Sequence, residues 1–295
     1  MENLILEIRT HFASHLQGLR AINSLDEGYK AYTFRQGVEY GVAIAMASTK
    51  DLYEESAQIT IKTMNILDTK YIVLACCDEE FRNNFAKFGA YFVSPGENGK
   101  NRAALMKSPF DWWKGWIGML GNKVSAKKSY DTIAEMMALE EIFRINPTST
   151  WTAAQAGTHD IESSDASYEI KSTVKKNETT VTISSRFQLE SVQPLQLWFY
   201  RMEASEQGVS INDMKAKLVA AGYDENLLEK QLEERGFMPG NSIRDKKFIM
   251  LEKRKFNVDD DFPKIVESSF KNDVYPKNII KILYTIDLEG IDYTN

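Results

Sequence analysis

Cysteine is nearly absent from this chain of 295 residues: Cys76 and Cys77 are adjacent, inside the apolar run YIVLACC. Two neighbouring thiols cannot staple distant segments, so a disulfide framework is excluded and reduced, structural thiols of a cytosolic protein are expected. Long apolar runs are missing too. YIVLACC (71–77) is the longest and falls far short of the ~20 residues a membrane helix needs. The N-terminal MENLILEIRTHF lacks a basic leader, an apolar stretch and a small-residue cleavage site, so no secretory signal and a cytoplasmic location are expected. There is no GxxxxGK[ST] loop, so a nucleoside triphosphate motor would have to be a separate protein. Without a Gly-x-Ser-x-Gly elbow, or a histidine beside either cysteine, chemistry through a side-chain nucleophile is unsupported. A general excess of positive charge is absent as well. The net charge of −6 excludes a uniformly basic nucleic-acid coat protein, although an enzyme needs no more than a local basic strip.

Such a strip is present. Between Lys100 and Tyr130 stand Lys100, Arg102, Lys107, Lys114, Lys123, Lys127 and Lys128 against the single acid Asp111. The rest is ordinary globular composition, with 43% hydrophobic residues spread along the whole chain, enough for one large domain or two to three small ones. No internal repeat or low-complexity tract interrupts it.

Apolar spacing predicts a helix over residues 3–20, where Leu4, Ile8, Phe12 and Leu16 recur at four-residue steps. Residues 28–66 hold short runs rich in β-branched and aromatic residues and predict a small β-rich region, with YIVLACC as a buried strand. DEEFRNNFAKFG and PFDWWKGWIGMLGN (109–122) predict helices, the second opened by Pro109. A stronger helix is predicted over Ser129–Ile145, uninterrupted by Gly or Pro. SYEIKST (167–173) and TTVTISS (179–185) predict strands joined by a polar turn around Lys176 and Asn177, and QPLQLWFYRME (193–203) a further strand. Ser210 and Asp213 form a capping box for another helix. ENLLEKQLEERG and the strand KKFIMLEKRKFNV follow, the element order of a winged helix; the alternative is a plain α/β accessory lobe packed on the core. The expected organisation is α/β (α+β): an N-terminal β-rich lobe (1–104), a core (105–205) and a C-terminal winged-helix-like or accessory lobe (206–295).

The residues that suggest chemistry lie in GTHDIESSDASYEIKST. Hydrolysis of a phosphodiester needs a cation on the nonbridging oxygens, an activated water and a positive group to meet the developing charge. Mg²⁺ takes hard oxygen ligands, a few carboxylates completed by water and phosphate. Asp160 and Glu169 supply two carboxylates with eight residues between them. In a strand Glu169 and Lys171 point to one face and Ile170 to the other, and a reversal through ESSDAS can bring Asp160 beside them. The preceding helix offers a further carboxylate at Glu135, Glu140 or Glu141.

This D-x8-E-x-K pattern, after an acidic helix and before another strand, resembles the PD-(D/E)XK nuclease superfamily. The longer pattern of DWWKGWIGMLGN, AEMMALEEIF, WTAAQAGTHDIESSDASYEIKST and VTISSRFQL resembles the bacterial PD-(D/E)XK-motif proteins of restriction and phage-defence loci, over roughly residues 105–250 and more weakly before them. The resemblance implies a restriction-endonuclease-like core with a mixed central sheet. It implies a metal-dependent DNA endonuclease in which Asp160, Glu169 and Glu135 hold Mg²⁺, with Mn²⁺ as a substitute. Lys171 would assist attack and Gln188 contact the substrate. The proline that usually precedes the aspartate is replaced by His159. DNA is the implied partner, with a homodimer or a helicase or methyltransferase partner as further possibilities and no membrane.

Two rival functions stay open: a catalytically silent nuclease-fold subunit that binds DNA or a partner, and a structural α/β protein whose D…ExK match is accidental. Lys123, Lys127 and Lys128 of the basic strip, with Lys175 and Lys176 beyond the Glu-x-Lys strand, are the candidate DNA contacts. Lys175 and Lys176 equally fit a solvated turn. Trp112, Trp113 and Trp116 are expected to pack in a core rather than stack on bases. His11 and His15, four apart, lack a third ligand and are expected to be packing or surface residues; a structural role is also expected for His159.

Overall fold

The computed structural model describes residues 1–56, 59–66, 68–120, 129–152, 159–279 and 281–295, with main chain alone for 117–120 and 186. Contacts divide the chain into two units, Met1–Ala126 with Met238–Ser242, and Lys127–Phe237 with Ile243–Asn295. Among the described residues no helix is long and apolar enough to cross a membrane.

In the first unit, helix α1 (Glu2–Ala13) precedes strands β1 (Gly18–Ala21), β2 (Tyr32–Gln36), β3 (Glu39–Ala45), β4 (Tyr53–Ser56), β5 (Ile59–Ile66) and β6 (Thr69–Cys76). Helices α2 (Arg82–Val93), α3 (Lys100–Lys107) and α4 (Pro109–Leu120) follow. The strands form an antiparallel sheet in the order β1-β2-β3-β6-β5-β4. The α1 stripe of Leu4, Ile8 and Phe12 packs with alternate residues of β3 and β6, Tyr40, Val42 and Leu74 among them, and with Phe85 of α2. Ala43, Val73 and Ala75, one step out of phase, face the opposite side with Phe34 and Tyr71. Gly41 is required by the close strand approach, because a Cβ there would lie 2.1 Å from the Leu74 carbonyl oxygen.

One expectation changes here, and those for the histidines and tryptophans hold. The helix expected to reach Arg20 stops at Ala13, and Gly18–Ala21 pair with β2 instead. His11 is buried with Nδ1 2.9 Å from Thr33 Oγ1, while His15 is exposed at φ 53°, so the two do not form a ligand pair. Trp113 is buried, and Trp112 and Trp116 stack at 4.9 Å with Phe92 and Phe88 at their edges, which is core packing.

The second unit begins with α5 (Ser129–Ile145), matching the predicted bounds, then β7 (Thr150–Trp151), β8 (Ile161–Glu162), β9 (Ser167–Thr173), β10 (Thr180–Ile183) and β11 (Leu195–Val209). Helices α6 (Ile211–Ala220) and α7 (Glu225–Glu234) and strands β12 (Phe248–Asn257) and β13 (Tyr284–Asp287) complete it. The central sheet is mixed, in the order β12-β11-β9-β8-β7, with β9 and β11 parallel and the other pairs antiparallel. Ile170 of β9 and Trp198, Tyr200 and Met202 of β11 pack into the cluster that holds the apolar stripes of α5, α6 and α7. Leu197 and Phe199 belong to a second cluster, with Val181 and Ile183 of β10 and Phe256 of β12. The sheet is thus covered on both faces.

SYEIKST and TTVTISS, adjacent in sequence, are not sheet neighbours. β9 pairs with β11, and β10 pairs with β13, more than a hundred residues away in the chain. Strand β11 runs to Val209, past the expected end at Glu203, and is bulged near its end against β12. Gly208 sits in that bulge, where a Cβ would lie 2.2 Å from the Phe248 main chain. The capping box at α6 is present as expected, with Asp213 N–H donating to Ser210 Oγ at 3.1 Å and Ser210 N–H to Asp213 Oδ2 at 2.9 Å. The contact division does not coincide with boundaries at 104 and 205. Helices α3 and α4 both belong to the first unit, and β12, from the segment 206–295, completes the central sheet.

Candidate active site

Strand β8 is two residues long and pairs with β9 only at Ser167 and Tyr168. Beyond Tyr168 no strand among the described residues pairs with this edge of β9, and a cavity of about 460 Å³ lies there. An open edge exposes main-chain donors that need partners. Asp160 supplies one: its Oδ2 accepts the Ile170 N–H at 2.7 Å, while its own N–H donates to the Tyr168 carbonyl at 3.1 Å. The reversal predicted through ESSDAS is the β8–β9 hairpin, and it holds the Asp160 carboxylate beside the Glu-Ile-Lys strand. The alternation of β9 puts Lys171 Nζ 2.8 Å from Glu169 Oε1, with Ile170 in the apolar core.

Helix α5 brings the third carboxylate. Glu135 lies on its buried face and lines the same cavity. Its Oε2 accepts from Trp151 Nε1 at 2.8 Å and from the Arg235 guanidinium at 2.5 Å, and that guanidinium lies 4.2 Å from the centre of the Trp151 ring. Gln231 of α7 donates to the Trp151 carbonyl at 2.6 Å and fixes this residue from behind. One turn earlier on α5, Asp131 accepts a hydrogen bond from the Ser172 hydroxyl, tying the helix to β9.

Glu135, Asp160 and Glu169 all have carboxyl pKa values pushed up to about 7. Burial is the largest cause for each. Asp160 adds repulsion at Glu135, Glu169 at Asp160, and Glu135 at Glu169. The Arg235 and Lys171 charges and the Ile170 N–H pull in the other direction without overcoming burial. Such a set of crowded acids favours whatever brings positive charge, a proton or a metal ion. Among the described residues no three His, Cys, Asp or Glu side chains are grouped to hold a metal unaided. Mg²⁺ does not need such a cage, since it binds through one or two carboxylates and keeps water or phosphate on its other positions. Asp160 and Glu169 fit that requirement.

Gln188, in the short turn after β10, also lines the cavity. Its Oε1 accepts from Ser184 N–H at 2.8 Å, and its amide nitrogen has no partner among the described residues. Lys175 is at the cavity wall, paired with Glu178 at 2.5 Å. Lys176 is exposed, 3.8 Å from Glu203, and is not part of that wall. Lys123, Lys127 and Lys128 lie outside the described residues. His159 is buried, with ring nitrogens 2.9 Å from Glu162 Oε1 and 3.1 Å from the Glu190 carbonyl, so it is a structural residue of the hairpin. Sequence reasoning missed Arg235, Trp151 and the Asp131–Ser172 tie. Arg235 is a hundred residues from the carboxylate it meets, and no local pattern marks it.

A family model described as "Putative PD-(D/E)XK family member, (DUF4420)" matches residues 31–289. The chain belongs to this family. No curated protein and no solved structure matches it. The match to the PD-(D/E)XK family takes in most of the β-rich N-terminal region, where the resemblance in sequence is weaker, and the mixed sheet flanked by helices is consistent with a restriction-endonuclease-like fold. The D-x8-E-x-K residues of this PD-(D/E)XK chain are the ones gathered at the open edge of β9.

Proposed function

We propose that this chain is a Mg²⁺-dependent endonuclease that hydrolyses phosphodiester bonds in DNA. One arrangement carries the proposal: the buried Glu135 and Glu169, the half-buried Asp160 and a lysine converge on a single polar cavity beside β9. Asp160 and Glu169 would hold the cation, with Glu135 on the acidic wall beside them and Mn²⁺ as a substitute. A bound divalent cation neutralises phosphate oxygens and lowers the pKa of a water. Lys171 uses one ammonium proton on Glu169 and has two more to orient the attacking water and meet charge building at phosphorus. Gln188 offers its amide nitrogen to the substrate. Lys175 and Lys176, with Lys123, Lys127 and Lys128, supply phosphate contacts. Trp151 and Arg235 keep Glu135 from swinging out of the cavity. A restriction or phage-defence role, a homodimer for double-strand cutting, and a helicase or methyltransferase partner extend the proposal.

Two observations favour the alternative of a silent DNA- or partner-binding subunit: the Arg235 guanidinium already occupies Glu135, and no unaided three-residue metal group exists among the described residues. Cleavage of plasmid, phage and single-stranded circular DNA in Mg²⁺ or Mn²⁺ separates the two. Cutting that is lost in Lys171→Ala supports the enzyme. Salt-sensitive binding by wild type without any cutting supports the silent subunit.

A further inference from the structure

A second cavity, of about 400 Å³, lies beside the proposed active site in the same unit. Its size is within the ~300–1,000 Å³ range of small-molecule sites. Ser184, Ser185 and Phe187 line it from one side, Tyr275, Ile279 and Lys281 from the other. The two cavities share one piece of chain. Thr180 and Thr182 of β10 and Gln188 line the first, while Ser184, Ser185 and Phe187 line the second. Phe187 and Gln188 are consecutive residues of one 3₁₀ turn, Arg186–Leu189, so their Cα atoms are about 3.8 Å apart. That turn is fixed. Leu189 is buried, Ser185 Oγ accepts the Phe187 N–H at 3.3 Å, and Gln188 Oε1 holds Ser184 N–H. Tyr275, on the far wall, donates its hydroxyl proton to Glu190 just after the turn.

The wall chemistry suits a nucleotide. Phe187 is 46% exposed and stands on a turn held by hydrogen bonds. Ile279 adds apolar surface, the two serines add hydroxyls, and Lys281 adds an exposed positive charge. Aromatic faces beside a cation are how single-stranded nucleic acid is held without regard to sequence. A base can reach such a face only when it is out of the duplex stack.

We propose that this cavity is a subsite for an unpaired nucleotide flanking the scissile bond, with Phe187 stacking on its base and Lys281 contacting its phosphate. The proposal rests on the nuclease reading above for the placement of the scissile bond. It implies a substrate that is single-stranded or locally opened at the cut.

Equilibrium binding of a 2-aminopurine-labelled single-stranded oligodeoxynucleotide in EDTA tests it without any cleavage. Wild type is expected to change the label's fluorescence on binding, and to bind the single strand more tightly than a duplex of the same sequence. Phe187→Ala is expected to lose the fluorescence change and weaken binding by about tenfold, while Phe187→Trp, which keeps a stacking ring, restores both. Lys281→Ala is expected to lower the slope of log K against log salt by about one. The proposal is overturned if Phe187→Ala binds within twofold of wild type with the same fluorescence, or if wild type does not bind the oligonucleotide. It is also overturned if Phe187→Ala changes only the sedimentation of the protein, which would make the cavity a contact between copies. Loss of binding in these variants without wild-type cleavage in Mg²⁺ sinks the nuclease reading and leaves the subsite. Cleavage with variant binding unchanged does the reverse.

Discussion

Glu135, Asp160 and Glu169 hold their protons to about pH 7, well above the ordinary values of 4.5 for Glu and 3.8 for Asp. In the unfolded chain the same groups ionise near those ordinary values. Between about pH 4 and pH 7 the folded protein therefore binds more protons than the unfolded one, and stability falls as pH rises through that window. In EDTA the thermal midpoint is expected to drop from pH 5 to pH 8, and Mg²⁺ is expected to raise it more at pH 8, where the carboxylates are ionised. Asp160→Asn keeps an acceptor for the Ile170 N–H but removes one charge; in EDTA at pH 8 its midpoint should lie above wild type, with the Mg²⁺ effect diminished. A midpoint that is flat with pH in EDTA contradicts the electrostatic crowding. Arg235 makes the opposite case. It is the cation against Glu135, and Arg235→Ala leaves a buried carboxylate without one. A loss of about 3 kcal/mol in chemical denaturation is expected. Arg235→Lys should recover part of it, since the charge is retained but the planar stack on Trp151 is not.

At the scale of elements, local rules account for most of the strands and helices. The α6 capping box is one such rule: Ser210→Ala should cost about 1 kcal/mol by denaturation and leave DNA cleavage intact, because α6 contributes no residue to the cavity. The same kind of signal makes α5 and β9 legible to the residue, since one has an uninterrupted helical run and the other a short β-prone run in which Glu169 and Lys171 meet and Ile170 packs in the core. Asp160, Glu169, Lys171 and Glu135 could be brought to one place on paper because strand alternation and a short reversal link the first three, and α5 is the helix just before them. What was illegible is long-range. Strand β10 looks like the natural partner of β9, yet its apolar residues Val181 and Ile183 pair off with β13 in a different cluster. Among the described residues the short β8 leaves the β9 edge unpaired beyond Tyr168, and no local pattern announces that Ile170 N–H will be satisfied by a side chain. Arg235, closing over Glu135 from the end of α7, is invisible for the same reason.

The whole molecule carries a net charge of −6, so the proposed DNA binding has to come from local charge. Replacement of Lys123, Lys127 and Lys128 together by alanine is expected to lower the slope of log K against log salt for DNA by up to about three, with little change in the fold measured by circular dichroism. An unchanged slope removes these lysines from the interface. The central claim concerns the open edge of β9, where Lys171 stands beside Glu169 and Asp160. Its most direct test is the single-turnover rate of DNA cleavage in saturating Mg²⁺ for wild type and Lys171→Ala, with DNA affinity measured in parallel in EDTA. The account predicts a rate lower by about 10²–10⁴-fold in the variant with affinity nearly unchanged. Equal rates for the two proteins, or cleavage by wild type that continues in EDTA, would contradict it.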